Sequence, residues 1–425
     1  MRARIWFLLS LFASGMTWIY TVRVLGPWEY YVDVEHGGLK SQMGDLYSPW
    51  MGTRELLLHG RNPYGSEVSH EIQMAFYGHA IDQRYGEPGA NVINEQRFAY
   101  PVYVVFLLAP TVYADFQTLQ IWAAVVLAML TAISVLLWID VSRWRPSGIL
   151  IATIIPFVIS SPQIMQGLRL RQLGLAVGFL LAVSAWCITR NHMASAGIAL
   201  ALSTIKPQMV LITLAWFLLW GVSDCSRRWR LLAGFGITFA ILVGLGELLL
   251  PGWLRLFVNG LIAYPKYVGI PSLLCMALGN LVGAAVSGIV VIVLLGFAWR
   301  NRRADAGSSE FVQTVAASFI GATLVLPLAH PFNQVLLLLP AVLVIRDWRA
   351  LPRVGRRALA AVVAAPWITR LTLLVRHPSV DSPSRLPLLP SAMALLVPFL
   401  LFMLFAIAWS KAGESRLRGA NLHSS

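Results

Sequence analysis

Long apolar stretches, recurring with only brief interruptions, leave this chain no way to fold in water. Twelve of them can be drawn, at 5–26, 117–140, 148–163, 172–189, 194–205, 207–221, 231–250, 281–299, 311–328, 333–346, 358–375 and 389–410. Hydrophobic residues make up 57% of the 425 and charged ones only 12%, too few to coat a soluble domain of this size. A membrane-crossing helix takes about 20 apolar residues. The segments therefore predict an all-α polytopic membrane protein with about 12 transmembrane helices, forming one membrane domain over residues 1–425. The first segment reads as a retained helix and not a cleaved signal peptide, because its apolar run is long and further membrane segments follow it.

The formal net charge of +14 does not point to nucleic acid. The basic residues stand in short clusters between apolar runs: Arg143/Arg145, Arg227/Arg228/Arg230, Arg300/Arg302/Arg303, Arg346 to Arg357 and Lys411 to Arg418. Cytoplasmic loops carry such clusters. Three cysteines, Cys187, Cys225 and Cys275, lack metal-ligand spacing and read as free thiols.

Two segments decide the topology. Residues 98–115, FAYPVYVVFLLAPTVYAD, are short and carry Pro101 and Pro110. If they lie at the outer surface as a juxtamembrane or re-entrant piece, every basic cluster falls inside. Residues 193–220 hold Ile205-Lys206-Pro207, and a proline there predicts two short helices with a break at Lys206. Both choices satisfy the positive-inside bias. The expectation is thus a multi-pass membrane protein, with a cytoplasmic tail at 411–425 and a first extracytoplasmic loop at 27–116.

That loop holds more than half of the chain's nineteen acidic residues. Within it, PWMGTRELLLHG predicts a short amphipathic helix on the membrane surface through Trp50, Leu57 and Leu58, stopping at Gly60. Asp45 stands just before this helix. It is a candidate general base, since burial beside apolar walls raises a carboxyl toward useful basicity; the other reading is a helix N-cap. Asp33 and Glu35 are alternative bases.

Lys206 is the sharper signal, because an ionisable group inside a membrane segment costs a few kcal/mol and marks function by default. A lysine snorkelling to the interface is the competing reading. Gln208 follows it, and Arg169, Arg171 and Gln172 of QGLRLRQ fall on the same outer side. Two arginines and a lysine converging there suit a phosphate; contact of the arginines with lipid headgroups is a looser alternative. His330, in LPLAHPFNQ, is a candidate for substrate contact or a hydrogen-bonded helix-end residue. Tyr64, in NPYG, completes the candidates.

In chain order, DLY, GRNPY, RFAYP, RQLGL, AGIALALSTIKPQ and HPFNQVLLLLP resemble glycosyltransferase family 87, over roughly residues 5 to 346. The resemblance implies a GT-C membrane fold and transfer of a hexose, mannose in the family's characterised members, from a polyprenyl-phosphate sugar to an extracytoplasmic acceptor hydroxyl on a glycan or glycolipid. It places the inverting base on Asp45, the family's lysine-proline motif on Lys206 and Pro207, and the Gln of its GQ position on Gln172, with Arg171 where the family has glycine. No cofactor is called for, and a divalent metal is left open. Membrane lipids are the remaining expected partners. A lipid or small-molecule transporter or flippase is the alternative, but no pair of similar halves is visible; a lipid-linked glycan polymerase or ligase is the nearer enzyme rival.

Overall fold

A computed structural model of the chain describes residues 2–29, 43–78, 96–267, 271–376 and 389–405. Among these residues every regular element is helical. Asp33, Glu35 and the tail at 411–425 lie outside the described residues.

The first helix, α1 (Arg2–Tyr20), runs on through a π-helical turn, Thr21–Leu25, to Glu29. Two short helices follow, α2 (Tyr47–His59) and α3 (Ser66–Tyr77), then α4 (Val104–Leu108) and the long α5 (Phe116–Val141). Next come α6 (Gly148–Ile159), α7 (Pro162–Arg169), α8 (Gly174–Thr189), α9 (Met193–Ser203) and α10 (Pro207–Val222). The chain continues with α11 (Cys225–Leu249), α12 (Trp253–Tyr267), α13 (Leu273–Leu278), α14 (Asn280–Asn301) and α15 (Ser309–Val325). A 3-10 segment, Pro331–Leu337, leads into α16 (Leu338–Arg346), and α17 (Arg353–Arg376) and α18 (Leu389–Ala394) close the described chain.

The expected twelve crossings are not reached by length. Five helices are long and apolar enough to cross a membrane, and a sixth only if α6 and α7, bent by 57° at their junction, count as one. The other apolar segments form shorter helices. At 1.5 Å per residue the 11 residues of α9 reach about 16 Å, roughly half of a hydrocarbon core. Two of the breaks have a local cause: Pro162 and Pro207 stand at the first positions of α7 and α10, where a proline starts a helix but cannot continue one. Residues 98–115 make only α4 and one 3-10 turn, with Val102, Tyr103, Val104 and Val105 buried.

One expectation for the first loop needs correcting. The helix forms and stops at Gly60, which takes the left-handed conformation, but Trp50 does not face a membrane. It is 3% exposed, packs on Tyr47 and Phe116, and its indole N–H donates to the Thr111 carbonyl at 3.2 Å. The tryptophan's large apolar face and single donor are both satisfied inside the protein, so α2 is clamped between α4 and the start of α5. Arg61 then ties α2 to α3, donating to Glu55 at 2.9 Å and pairing with Glu71 at 2.7 Å.

The short helices are held by close backbone approach. A Cβ on Gly197 of α9 would fall 2.2 Å from the Leu231 carbonyl oxygen, and one on Gly234 of α11 2.4 Å from that of Ala194. Small residues at such crossings supply the van der Waals contact that lipid cannot. Gly197→Ala is expected to force α9 and α11 apart and to cost about 1–3 kcal/mol of overpacking, read as a lowered unfolding midpoint of the purified protein in detergent.

Candidate active site

The site begins with how α7 ends. The Arg171 N–H donates to the Leu168 carbonyl at 3.2 Å and the Gln172 N–H to the Gly167 carbonyl at 2.8 Å, with Arg171 at φ 51°. This is the paired-bond helix stop whose left-handed position favours glycine. It accounts physically for the glycine of the resembling motif, and here an arginine occupies that position. The stop has two consequences. It turns Gln172 inward to 5% exposure, and it leaves the Leu170 carbonyl free to accept the Asp45 N–H at 2.8 Å. Gly44 makes that approach feasible: its φ is +62° and a Cβ there would lie 2.9 Å from the Leu170 oxygen.

Asp45 is therefore not a helix cap. The residue capping α2 is Leu46, with no side-chain bond, and the Asp45 carboxylate accepts from the Gln172 amide Nε2 instead. The other end of that amide, Oε1, accepts from Lys206 Nζ at 2.8 Å, and Lys206 also donates to Asn333 Oδ1 at 3.3 Å. Its ammonium stands 4.9 Å from the centre of the Phe332 ring. Lys206 is 6% exposed and Asn333 3%, so the ammonium end of this chain of contacts is buried in the protein, while the carboxylate end is only partly so. Tyr103 braces the turn before Lys206, donating its hydroxyl to Thr204 at 3.0 Å.

Its electrostatics favour an anion. Lys206 is the N-cap of α10, and a Cβ on Gly174, the first residue of α8, would come within 3.3 Å of Nζ. Helix N-termini carry partial positive charge. An ammonium beside two of them concentrates positive potential, and such ends are ready-made anion sites. Of its three N–H groups, two are engaged within the protein. Although Asp45 keeps some solvent contact, burial of its carboxyl pushes the pKa above the usual aspartate range, against the opposing pulls of Gln172 and Lys206. Burial, reinforced by Lys206, holds the His330 imidazole down at about 4, so it is neutral near pH 7. The ring stacks on Phe332 at 4.9 Å.

Asp45, Gln172, Lys206 and His330 are thus brought together, with Asn333 and Phe332 joining them. Sequence reasoning had not given those two a role; their only signal was adjacency to His330. The other candidates point elsewhere. Arg169 pairs with Glu29 through both guanidinium nitrogens. Arg171 donates to the main-chain carbonyls of Arg169 and Gln120. The Tyr64 hydroxyl donates to the Tyr100 carbonyl at 2.6 Å and its ring meets Phe98 edge-on. Gln208 is exposed on α10.

A helical membrane protein with a carboxylate and an ammonium joined in a buried polar site has the parts of a membrane transferase. The model of glycosyltransferase family 87 matches residues 98–331, and the chain belongs to that family. It is a membrane glycosyltransferase. The matched region includes Gln172, Lys206 and His330, while Asp45 lies before it and Asn333 just after. No curated protein and no solved structure matches the chain.

Gly44→Ala is expected to strain the turn by about 1–2 kcal/mol, the cost of a side chain in the left-handed region, and to push Asp45 off the Leu170 carbonyl. A lower unfolding midpoint, with sugar transfer falling further than the midpoint shift explains, would be the measured outcome.

Proposed function

We propose that the protein moves a hexose, mannose being the first candidate, from a polyprenyl-phosphate sugar to a hydroxyl of an extracytoplasmic glycan or glycolipid, with inversion. The observation that carries this reading is the ammonium of Lys206, set beside the N-termini of α8 and α10 and joined to Asp45 through one amide. The donor phosphate would sit on Lys206, within reach of neutral His330. Asp45 would take the proton of the acceptor hydroxyl while its oxygen bonds to the anomeric carbon. The bond from that carbon to the phosphate oxygen breaks, and its electron pair leaves with the phosphate. Lys206 and the two helix ends stabilise the charge that builds there, the kind of preorganised electrostatics that contributes most to such reactions.

Gln172 is a positioning residue in this scheme. Its amide can satisfy carboxylate and ammonium at once only in one orientation. The ion pair of Arg169 with Glu29 makes Arg169 a support of the site's wall in place of a direct phosphate ligand. The short helices complete a GT-C-type arrangement of about twelve membrane-embedded helices, with Asp45 at the outer face of a bacterial plasma membrane and the arginine clusters at the inner face. Asp33 and Glu35, in the same loop, are the alternative bases.

In membranes supplied with a polyprenyl-phosphate sugar, Asp45→Asn is expected to lower transfer by at least a thousandfold while insertion and yield stay normal. Full activity would move the base to Asp33 or Glu35. Lys206→Ala is expected to raise the donor concentration needed for half-maximal rate by tenfold or more; unchanged donor dependence would remove the lysine from phosphate binding.

The pH profile gives an independent check. A base must be unprotonated to act, so a raised Asp45 pKa means that activity falls with decreasing pH at a value above the roughly 3.9 of a free aspartate. His330, held down at about 4, is neutral near pH 7 and is not the proposed base, so His330→Gln should leave this acid limb in place. A limb that disappears in His330→Gln would transfer the proton-accepting role to the histidine.

A further inference from the structure

At the far ends of α5 and α15 from Asp45 and Lys206, the helices part around a cavity of about 290 Å³. Ser142, Arg143, Ser308, Gln313 and Arg346 form its polar wall, Val141, Val312 and Leu343 its apolar wall, and no acidic side chain lines it. Arg346 is fixed at the rim, donating to the Ser142 carbonyl at 2.8 Å and to the carboxylate of Asp347 at 2.7 and 2.9 Å.

Arg143 is the unusual member. It sits at φ 54°, in the same paired-bond helix stop that ends α7: its N–H donates to Asp140 and that of Trp144 to Ile139. Glycine is the inexpensive residue there. The guanidinium has no hydrogen bond or ion pair among the described residues. Nor is the carboxylate that shares the second hollow with it free to take it. Asp140, in a second hollow that Arg143 also lines, accepts from Arg190 at 2.6 Å, Trp186 at 3.0 Å and Arg145 at 3.2 Å. Four arginines and one carboxylate, Asp140, thus line the two hollows, with Arg346 paired to Asp347 beside them.

We infer that this cavity binds a phosphate-bearing anion, with Arg143 as its principal ligand and Arg346 and the opening turn of α15 as supports. The apolar wall beside the arginines fits an amphiphile, and basic pockets between helix ends are where anionic lipid headgroups are held. On the topology proposed above this is the inner face. The site stands apart from the transferase chemistry and does not depend on it.

The test uses the full-length protein in neutral detergent, with the unfolding midpoint followed against phosphatidylglycerol, phosphatidylcholine or inorganic phosphate. Phosphatidylglycerol is expected to raise the midpoint where phosphatidylcholine does not. Arg143→Gly, which removes the guanidinium and relaxes the turn, should require at least tenfold more of it for the same shift. Arg143→Asn, also tolerated in the left-handed region, serves if the glycine variant folds poorly, and Arg357→Gln, an exposed arginine outside the cavity, should behave as wild type. A shift with inorganic phosphate alone, lost in the Arg143 variants, would support the site and assign it to a free phosphorylated solute. Shifts equal in wild type and the Arg143 variants, or none with either anion, would overturn the proposal.

Discussion

A buried ammonium has to be solvated by the protein itself, and the rest of this structure is arranged around meeting that demand for Lys206. With 6% exposure and no carboxylate within ion-pair distance among the described residues, the lysine is held by two side-chain amides and the face of an aromatic ring. Those groups come from two interruptions of helix, the turn between α7 and α8 and the 3-10 segment before α16, and the lysine itself from a third, the break between α9 and α10. Irregular backbone at membrane depth is tolerated where it is buried in protein. The breaks at α7/α8 and α9/α10 follow from this, since these helices stop where a polar group faces the site, and the glycine contacts of α9 with α11 hold elements too short to be anchored by length.

The same economy brings in Asp45. The helix stop at Arg171 and Gln172 does two jobs with adjacent groups: the Gln172 side chain reaches the carboxylate, and the Leu170 carbonyl anchors the main chain that carries it. Side chain and backbone of Asp45 are thus fixed by one turn. An aspartate in a flexible polar loop would lose that position to chain entropy; here the loop is clamped by Trp50, Tyr47 and Phe116 on one side and by Arg61 with its glutamates on the other.

Much of this was legible in the sequence because it depends on local rules. Pro207 after Lys206 predicts the break, and α9 does end at Ser203 with α10 starting at Pro207. Two prolines and a short apolar run keep residues 98–115 from forming a long helix. What could not be read was pairing across distance. Arg169 meets Glu29, 140 residues away, and nothing in QGLRLRQ distinguishes an arginine awaiting phosphate from one already neutralised. Trp50 has the spacing of a membrane-facing residue, and only the packing of α4 against α2 makes it a core one. Length alone confirms fewer crossings than the twelve apolar segments for a related reason: apolarity is local, but whether 11 to 17 apolar residues cross a membrane depends on what packs at their ends.

The amide between Asp45 and Lys206 carries the remaining argument. A direct ion pair at about 4 Å would be worth about 4 kcal/mol at an effective dielectric constant near 20. That pair would hold the carboxylate ionised and weakly basic, and it would cancel the positive potential at the two helix ends. Gln172 keeps the two groups in one hydrogen-bonded chain without letting them neutralise each other. The carboxyl then answers chiefly to its burial, which raises its proton affinity, and the ammonium keeps one N–H and most of its charge for a ligand. On the proposed function a base and an anion site work side by side, which requires that neither use up the other, and a neutral group that donates at one end and accepts at the other meets that condition.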